Sequence, residues 1–360
     1  MHQLLHKHLY PLSERHPTLM SVVSATAGLL RCMAIKSYRP CYRTRELALR
    51  ADYPNLPSVL CRLYKEKGSG SNPTIIVGGF VPDATEALEF QRPLLKAYGS
   101  VYYLNYPRTG FCAAMFNAQL ADLIDDLYIR GKQPFIMGIS FGAGLLVDFL
   151  RQAEEEIHGR IKGVMLVSPV LCTQDLVRPQ DERSGGVRML ESNLRKILKA
   201  DPEDPEGLHK QVERARRCFV GLFEAGADNR PLSTRHLAIR RKIFAVLEHT
   251  SALGGYQRVL ALRDFALPVA GSTVFNGPVL LLKAEHEEGV LAPSSPTLAL
   301  LNEPEQCRSL FPSCSIRTVL SPDAADPVPH ASLIFHQHCF NPLLDAWLSR
   351  EHRDQLWAVV

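Results

Sequence analysis

The sequence predicts an α/β fold in which a mostly parallel, doubly wound sheet is interrupted once by a long helical insertion. Three observations carry this reading. Short apolar runs alternate with amphipathic stretches through the first half of the chain, as strands covered on both faces require. From about residue 171 to 269 no convincing strand occurs, and helical periodicity punctuated by proline and glycine takes over. The strand rhythm then resumes with PVLLL at 278–282 and SIRTVL at 315–320. At 360 residues, 46% hydrophobic and 22% charged, the chain can bury one large core with a covering insertion.

In chain order, residues 1–36 form an N-terminal extension expected to be helical. Its most apolar part, LMSVVSATAGLL at 19–30, stops at Arg31. That is short of the about eighteen apolar residues a spanning helix needs. Ala25-Thr26-Ala27 spells a signal-peptidase site, but its apolar lead is short and Glu14 lies in a polar run. The extension is therefore expected to pack on the domain, or to rest on a membrane surface or partner through residues 17–33. Segments 43–54 and 58–68 read as two strands broken by Tyr53-Pro54-Asn55-Leu56-Pro57, with a flexible turn at 67–73. TIIV at 74–77 is a buried strand running into Gly78-Gly79-Phe80. A helix is expected over 84–98 and a strand over 101–106, followed by the loop Pro107-Arg108-Thr109-Gly110. Leu120, Leu123, Ile124 and Leu127 set a helical spacing over 116–130. GVMLV at 163–167 is a further strand, ending at Ser168-Pro169. Helices are expected at 187–200, 207–224, 235–251 and 256–265 within the insertion, and a last one at 331–348. The organisation is thus an extension (1–36), a first part of the core (37–170), a helical insertion (171–269) and a second part of the core (270–360).

Composition narrows the partners. A net charge of +4 gives no reason to expect nucleic acid, and Arg214-Ala215-Arg216-Arg217 and Arg240-Arg241-Lys242 read as solvated helix faces. Nine cysteines are scattered with no C-x-x-C pair, which argues for free thiols in a reducing, cytoplasmic setting rather than a disulfide frame or zinc site. Nothing in the spacing calls for a metal or a cofactor.

The chemistry concentrates in QPFIMGISFGAGLLVDFL at 133–150. An apolar strand enters Gly138-Ile139-Ser140-Phe141-Gly142, and a helix leaves it through Ala143 and Gly144. This G-x-S-x-G in a strand–turn–helix setting is what a nucleophilic serine on a sharp turn requires. The glycines leave room for the turn. The helix behind Ser140 directs N–H groups and a positive dipole end at the same spot.

The segments IIVGGF, YLNYPRTGF, MGISFGAG, LVSP, VLLLKAEHEEGV and VPHAS, in this order and spacing, resemble the α/β-hydrolase superfamily over residues 75–170 and 278–347. The resemblance implies a serine, an acid and a histidine acting in that chain order, an oxyanion hole, and a helical cap inserted after the sixth strand, at 171–269. A serine hydroxyl needs a base to take its proton. His330 fits that role because it follows the last strand in a loop stiffened by Pro327 and Pro329, whereas His336 and His338 are expected inside the following helix. Setting Ala284-Glu285-His286-Glu287 against the family's small-acidic-x-acidic pattern gives Glu287 as the acid, with Glu288 and, more remotely, Asp175 as alternatives. The family more often carries aspartate there. The oxyanion donors implied are the backbone N–H groups of Phe80 and Phe141, with Gly78-Gly79 standing where many relatives have His-Gly. Haloalkane and epoxide chemistry is disfavoured, because those relatives carry aspartate at the position of Ser140.

Two classes of function follow. The first is a serine hydrolase acting on a small-molecule ester, thioester or amide through an acyl-enzyme, or an acyltransferase using the same residues. The second is a non-catalytic member of the fold that binds a ligand or partner through its pocket or cap.

Overall fold

The computed structural model describes residues 34–53, 58–178, 189–228, 230–263 and 272–357. The N-terminal segment 1–33, and with it the surface contact expected through 17–33, lies outside the described residues. Eight strands form one sheet in the order β1-β2-β4-β3-β5-β6-β7-β8. Their spans are β1 Ile35–Ser37, β2 Arg62–Glu66, β3 Thr74–Val77, β4 Val101–Asn105, β5 Phe135–Ile139, β6 Gly163–Val167, β7 Val279–Ala284 and β8 Cys314–Val319. β2 pairs antiparallel with both neighbours, and every pairing from β4 to β8 is parallel. The tail of the expected N-terminal helix is thus an edge strand.

Every residue of β3, β4, β5 and β6 is buried. Strict alternation then divides their side chains between two cores. Ile75, Val77, Ile136, Val164, Leu166, Val279 and Leu281 face one side. Ile76, Phe135, Met137, Met165, Val167, Leu280 and Leu282 face the other. The apolar runs were visible in the sequence for this reason: a strand covered on both faces has no polar side to show.

The helices, in chain order, are α1 Thr44–Leu49, α2 Ala84–Ala87, α3 Arg92–Tyr98, α4 Ala113–Ile129, α5 Phe141–Gln152, α6 Glu155–Gly159, α7 Met189–Leu198, α8 Pro205–Ala227, α9 Thr234–His249, α10 Ala252–Arg263, α11 Pro296–Asn302, α12 Pro304–Leu310 and α13 Gln337–Trp357. Among the described residues, α7 to α10 fill the stretch between β6 and β7. None of the described helices is long and apolar enough to cross a membrane. All eight described cysteines are free thiols.

Three local expectations are corrected. Segment 43–54 is α1 and a 3₁₀ turn, Arg50–Asp52, not a strand. Its helix start is supplied from a distance: the Asp122 carboxylate of α4 accepts the N–H of Arg45 and of Glu46, at 3.2 and 2.9 Å. A carboxylate there satisfies first-turn donors and complements the dipole, which no local reading of 43–54 reveals. The helix expected over 84–98 is two, α2 and α3, with Pro93 in the first turn of the second. The last helix starts at Gln337 rather than 331, because Ala331 takes φ 51° and the chain turns before it can coil.

α13 seals one face of the sheet. The Trp347 ring lies 5.4 Å from that of Phe135, at 63°, and sits over Gly163, where a Cβ would meet it at 2.9 Å. Trp347→Ala is expected to cost about 3–5 kcal/mol of folding stability. Urea unfolding measures this, and a loss below about 1 kcal/mol would contradict the packing assigned to α13.

Candidate active site

The site is built from the carboxyl ends of β3, β5, β6 and β7 and from the loop after β8. Ser140 ends β5 and is the N-cap residue of α5, with φ 52° and ψ −117°. A non-glycine residue rarely adopts such a backbone, and neighbours must hold it there. Two glycines let them approach. A Cβ on Gly138 would stand 2.7 Å from Ala143 Cα, and one on Gly142 would run into the carbonyl oxygens of Val77 and Gly78. The Ser140 N–H donates to Val167 O at 2.9 Å, tying the turn to β6.

The Ser140 hydroxyl lies 2.9 Å from His330 Nε2. On the far side of the ring, His330 Nδ1 hydrogen-bonds Glu287 Oε2. The other carboxylate oxygen accepts the Ala284 N–H at 2.7 Å. A short backbone bridge between His286 and Pro329, with the His286 N–H donating to Val328 O at 2.9 Å, sets the acid's loop beside the histidine's. Burial alone would raise the Glu287 carboxyl. The neighbouring His330 and the donors Ala284 N–H and Ser168 Oγ–H outweigh it and hold the group below its ordinary value.

The alternatives for the acid and base are placed elsewhere. Glu288 pairs with His286. Glu285 accepts the N–H of Ser321 and of Val328. Asp175 is buried and accepts from Leu171 N–H, Cys172 N–H, Ser295 Oγ–H, and the N–H and hydroxyl of Thr297. It fastens two turns and does not reach His330. His336 precedes α13 rather than lying inside it, and is wholly buried against Ser332, Asp326 and Arg230. His338 is exposed on α13.

Beside the serine, the Gly79 backbone comes so close that a Cβ there would lie 3.6 Å from Ser140 Cβ. This puts the Phe80 peptide next to the start of α5, and the Phe80 and Phe141 rings stack at 4.3 Å and 22°. Two contacts missed in the sequence brace this loop. The Tyr106 hydroxyl donates to Gly78 O at 2.5 Å, and the buried Arg258 guanidinium of α10 donates to Pro107 O at 2.6 Å and Phe80 O at 3.5 Å. Burial pushes Arg258 down to about 10. Neither contact leaves a local sequence signal, since each joins segments far apart in the chain.

Ser140 opens into a cavity of about 380 Å³. Leu194 of α7, Phe219, Phe223 and Gly226 of α8, and Ile243 of α9 line it together with Phe335. Among the described residues of that lining, His330 is the lone ionisable side chain.

Among solved structures the chain is similar to a thermophilic esterase from Thermogutta terrifontis, at 16% identity and TM-score 0.53, covering 81% of this chain and 94% of that one. It is similar to a bacterial membrane phospholipase A at 14% identity and TM-score 0.56, covering 98% and 99%. It is also similar to a bromoperoxidase from Bacillus anthracis at 17% identity and TM-score 0.52, covering 80% and 96%. No family model and no curated protein matches the chain. These likenesses define the architecture: the chain has the α/β-hydrolase fold.

The depressed carboxyl makes a stability prediction. Because the folded-state value of Glu287 lies below the unfolded value of 4.5, its charge stabilises the fold above that pH. The contribution is lost as pH falls through the lower, folded value. The stability gap between wild type and Glu287→Gln should therefore be widest near neutrality and shrink in acid. A gap that stays constant from neutrality down to about pH 3 would contradict the linkage.

Proposed function

We propose that the protein is a serine hydrolase that cleaves an ester, thioester or amide of an apolar acyl group through an acyl-enzyme on Ser140. The observation that carries this reading is the unbroken relay from Ser140 Oγ through both His330 nitrogens to Glu287, opening into an apolar cavity. A core packed for stability alone has no use for a strained serine aimed at a buried imidazole–carboxylate pair. The relay therefore favours the enzyme over a non-catalytic binder.

In this reading Ser140 Oγ attacks the acyl carbonyl carbon while His330 Nε2 takes its proton. Glu287 fixes the tautomer and stabilises the imidazolium. The N–H groups of Phe80 and Phe141 receive the negative oxygen of the tetrahedral intermediate, each such donor supplying on the order of 3 kcal/mol in a site closed to water. Collapse expels the leaving group, which receives the proton from His330. Water, deprotonated by the same histidine, then releases the acid and restores Ser140.

Helices α7 to α10 act as a cap over Ser140, and the acyl chain lies among Leu194, Phe219, Phe223, Ile243 and Phe335. This assignment is supported by the place of α7, α8 and α9 in the cavity wall, with α10 behind them. With His330 the only ionisable group among the described lining residues, a charged head group finds no partner among them and stays at the mouth.

Labelling with a fluorophosphonate probe, together with turnover of p-nitrophenyl esters, tests the chemistry. Ser140→Ala should abolish labelling, and Ser140→Ala or His330→Ala should each lower kcat by about 10⁴-fold or more with the fold intact. Glu287→Gln should cost more than Glu288→Gln. A His330→Ala enzyme with near wild-type turnover would sink the assignment.

The cap assignment has its own test. A Cβ at Gly226 would already touch the Phe335 ring at 3.0 Å, so a larger side chain there crowds the cavity. Gly226→Leu should lower kcat/KM for long acyl esters about tenfold while leaving acetyl ester turnover and probe labelling nearly unchanged. Equal effects on short and long esters would count against acyl binding under the cap.

A further inference from the structure

Three non-glycine residues have positive φ among those described, Ser140 at 52°, Ser168 at 43° and Ala331 at 51°. The first carries the nucleophile and the third follows the base. The second, at the end of β6, takes no step in the chemistry above, though its hydroxyl is one of the donors to Glu287. Strain of this kind persists only where surroundings impose it, and it gathers at functional sites. Ser168 is wholly buried, with its N–H held by Leu282 O at 2.8 Å. Its hydroxyl accepts the Ala331 N–H at 2.9 Å and meets the Glu287 carboxylate. Donor and acceptor roles are forced: an amide can only donate, and a carboxylate that already bonds His330 can only accept.

We propose that Ser168 is a positioning residue, whose hydroxyl donates to Glu287 and accepts from Ala331, locking the acid and the histidine loop into one register. The proposal rests on the hydrolase reading for its catalytic consequence, though not for its geometry. The residue type follows from the demand. Alanine and glycine lack the hydroxyl, and threonine's β-branch suits positive φ poorly. Threading one hydroxyl between both loops also couples them, so a shift in the Ala331 turn is felt at the carboxylate. The charged groups around Glu287 are otherwise occupied: Glu285 bonds the Ser321 and Val328 amides, Glu288 bonds His286, and Asp326 bonds Arg230 and His336. Among the described residues His330 is thus the partner through which Ser168 acts.

Removing the hydroxyl leaves Glu287 short of a donor and more basic, so the carboxylate draws harder on the His330 Nδ1 proton and the pair releases it less readily. The test compares wild type, Ser168→Ala and Ser168→Gly in three measurements: the pH dependence of fluorophosphonate labelling, the thermal midpoint, and the downfield proton resonance of His330 Nδ1–H. Ser168→Ala should label about ten- to a hundredfold more slowly, with its acidic limb moved to higher pH and the downfield resonance shifted or broadened. Ser168→Gly, which relieves the backbone strain, should show the same losses even if its midpoint equals or exceeds that of the wild type. Variants that lose only thermal stability, with limb and resonance unmoved, would overturn the proposal. If the wild type itself fails to label, the hydrolase reading falls, and the resonance still decides whether Ser168 sets the Glu287–His330 pair.

Discussion

The close packing of the β5–α5 turn against the end of β3 is the constraint on which the site depends. Gly142 lies so near the Val77 and Gly78 carbonyls that no side chain fits between them, and Gly138 is equally tight against Ala143. This contact drives α5 down onto the sheet and forces Ser140 into a backbone that most residues avoid. It also brings the Gly79–Phe80 peptide alongside the serine, so one packing event places the Ser140 side chain and a neighbouring backbone amide together. The stacked rings of Phe80 and Phe141 close the gap from above. A softer contact would let the turn relax and move both at once.

Around that turn the molecule accepts a second unfavourable condition, a nearly buried carboxylate. Glu287 is 3% exposed, and burial alone would push it toward the neutral form. The fold offsets this with three donors from three directions: the backbone amide of Ala284, the last residue of β7, the Ser168 hydroxyl just after β6 and an imidazole from the loop after β8. Each donor comes from an element whose place is already fixed by the parallel sheet. These donors together keep the carboxyl below its ordinary value, and the imidazole turns its other nitrogen to Ser140.

What the sequence revealed and what it hid follow from the range of the forces involved. The central strands were legible because burial on both faces writes an uninterrupted apolar run, and 74–77 and 163–167 match β3 and β6 at both ends. Ser140 and His330 could be singled out because turn chemistry and a proline-stiffened loop are local, whereas Glu287 was singled out only through the resemblance to the family's pattern. Segment 43–54 was misread because the partner that caps α1, Asp122, lies 76 and 77 positions from the amides it accepts and leaves no trace there. The start of α13 was misplaced for a related reason. Ala331 is held in a helix-breaking conformation by a hydroxyl on β6, and its own neighbours give no warning of it. Ser168 looked like punctuation at a strand end, because its role exists only once β6, β7 and the loop after β8 stand side by side.

The insertion illustrates the same point in energetic form. Its helices were expected from periodicity, but periodicity says only that an apolar stripe must be covered, not by what. In the folded chain those stripes are covered partly by the cavity wall and partly by contacts to the loops that carry the site. Arg258 of α10 reaches the Phe80 and Pro107 carbonyls, and Arg230, following α8, bonds Asp326 and His336 on either side of His330. A buried guanidinium held by backbone carbonyls is costly to form and costly to disturb, since any shift strands a charge away from water. Helices braced in this way cannot swing clear of the core as a rigid flap without breaking contacts to both loops.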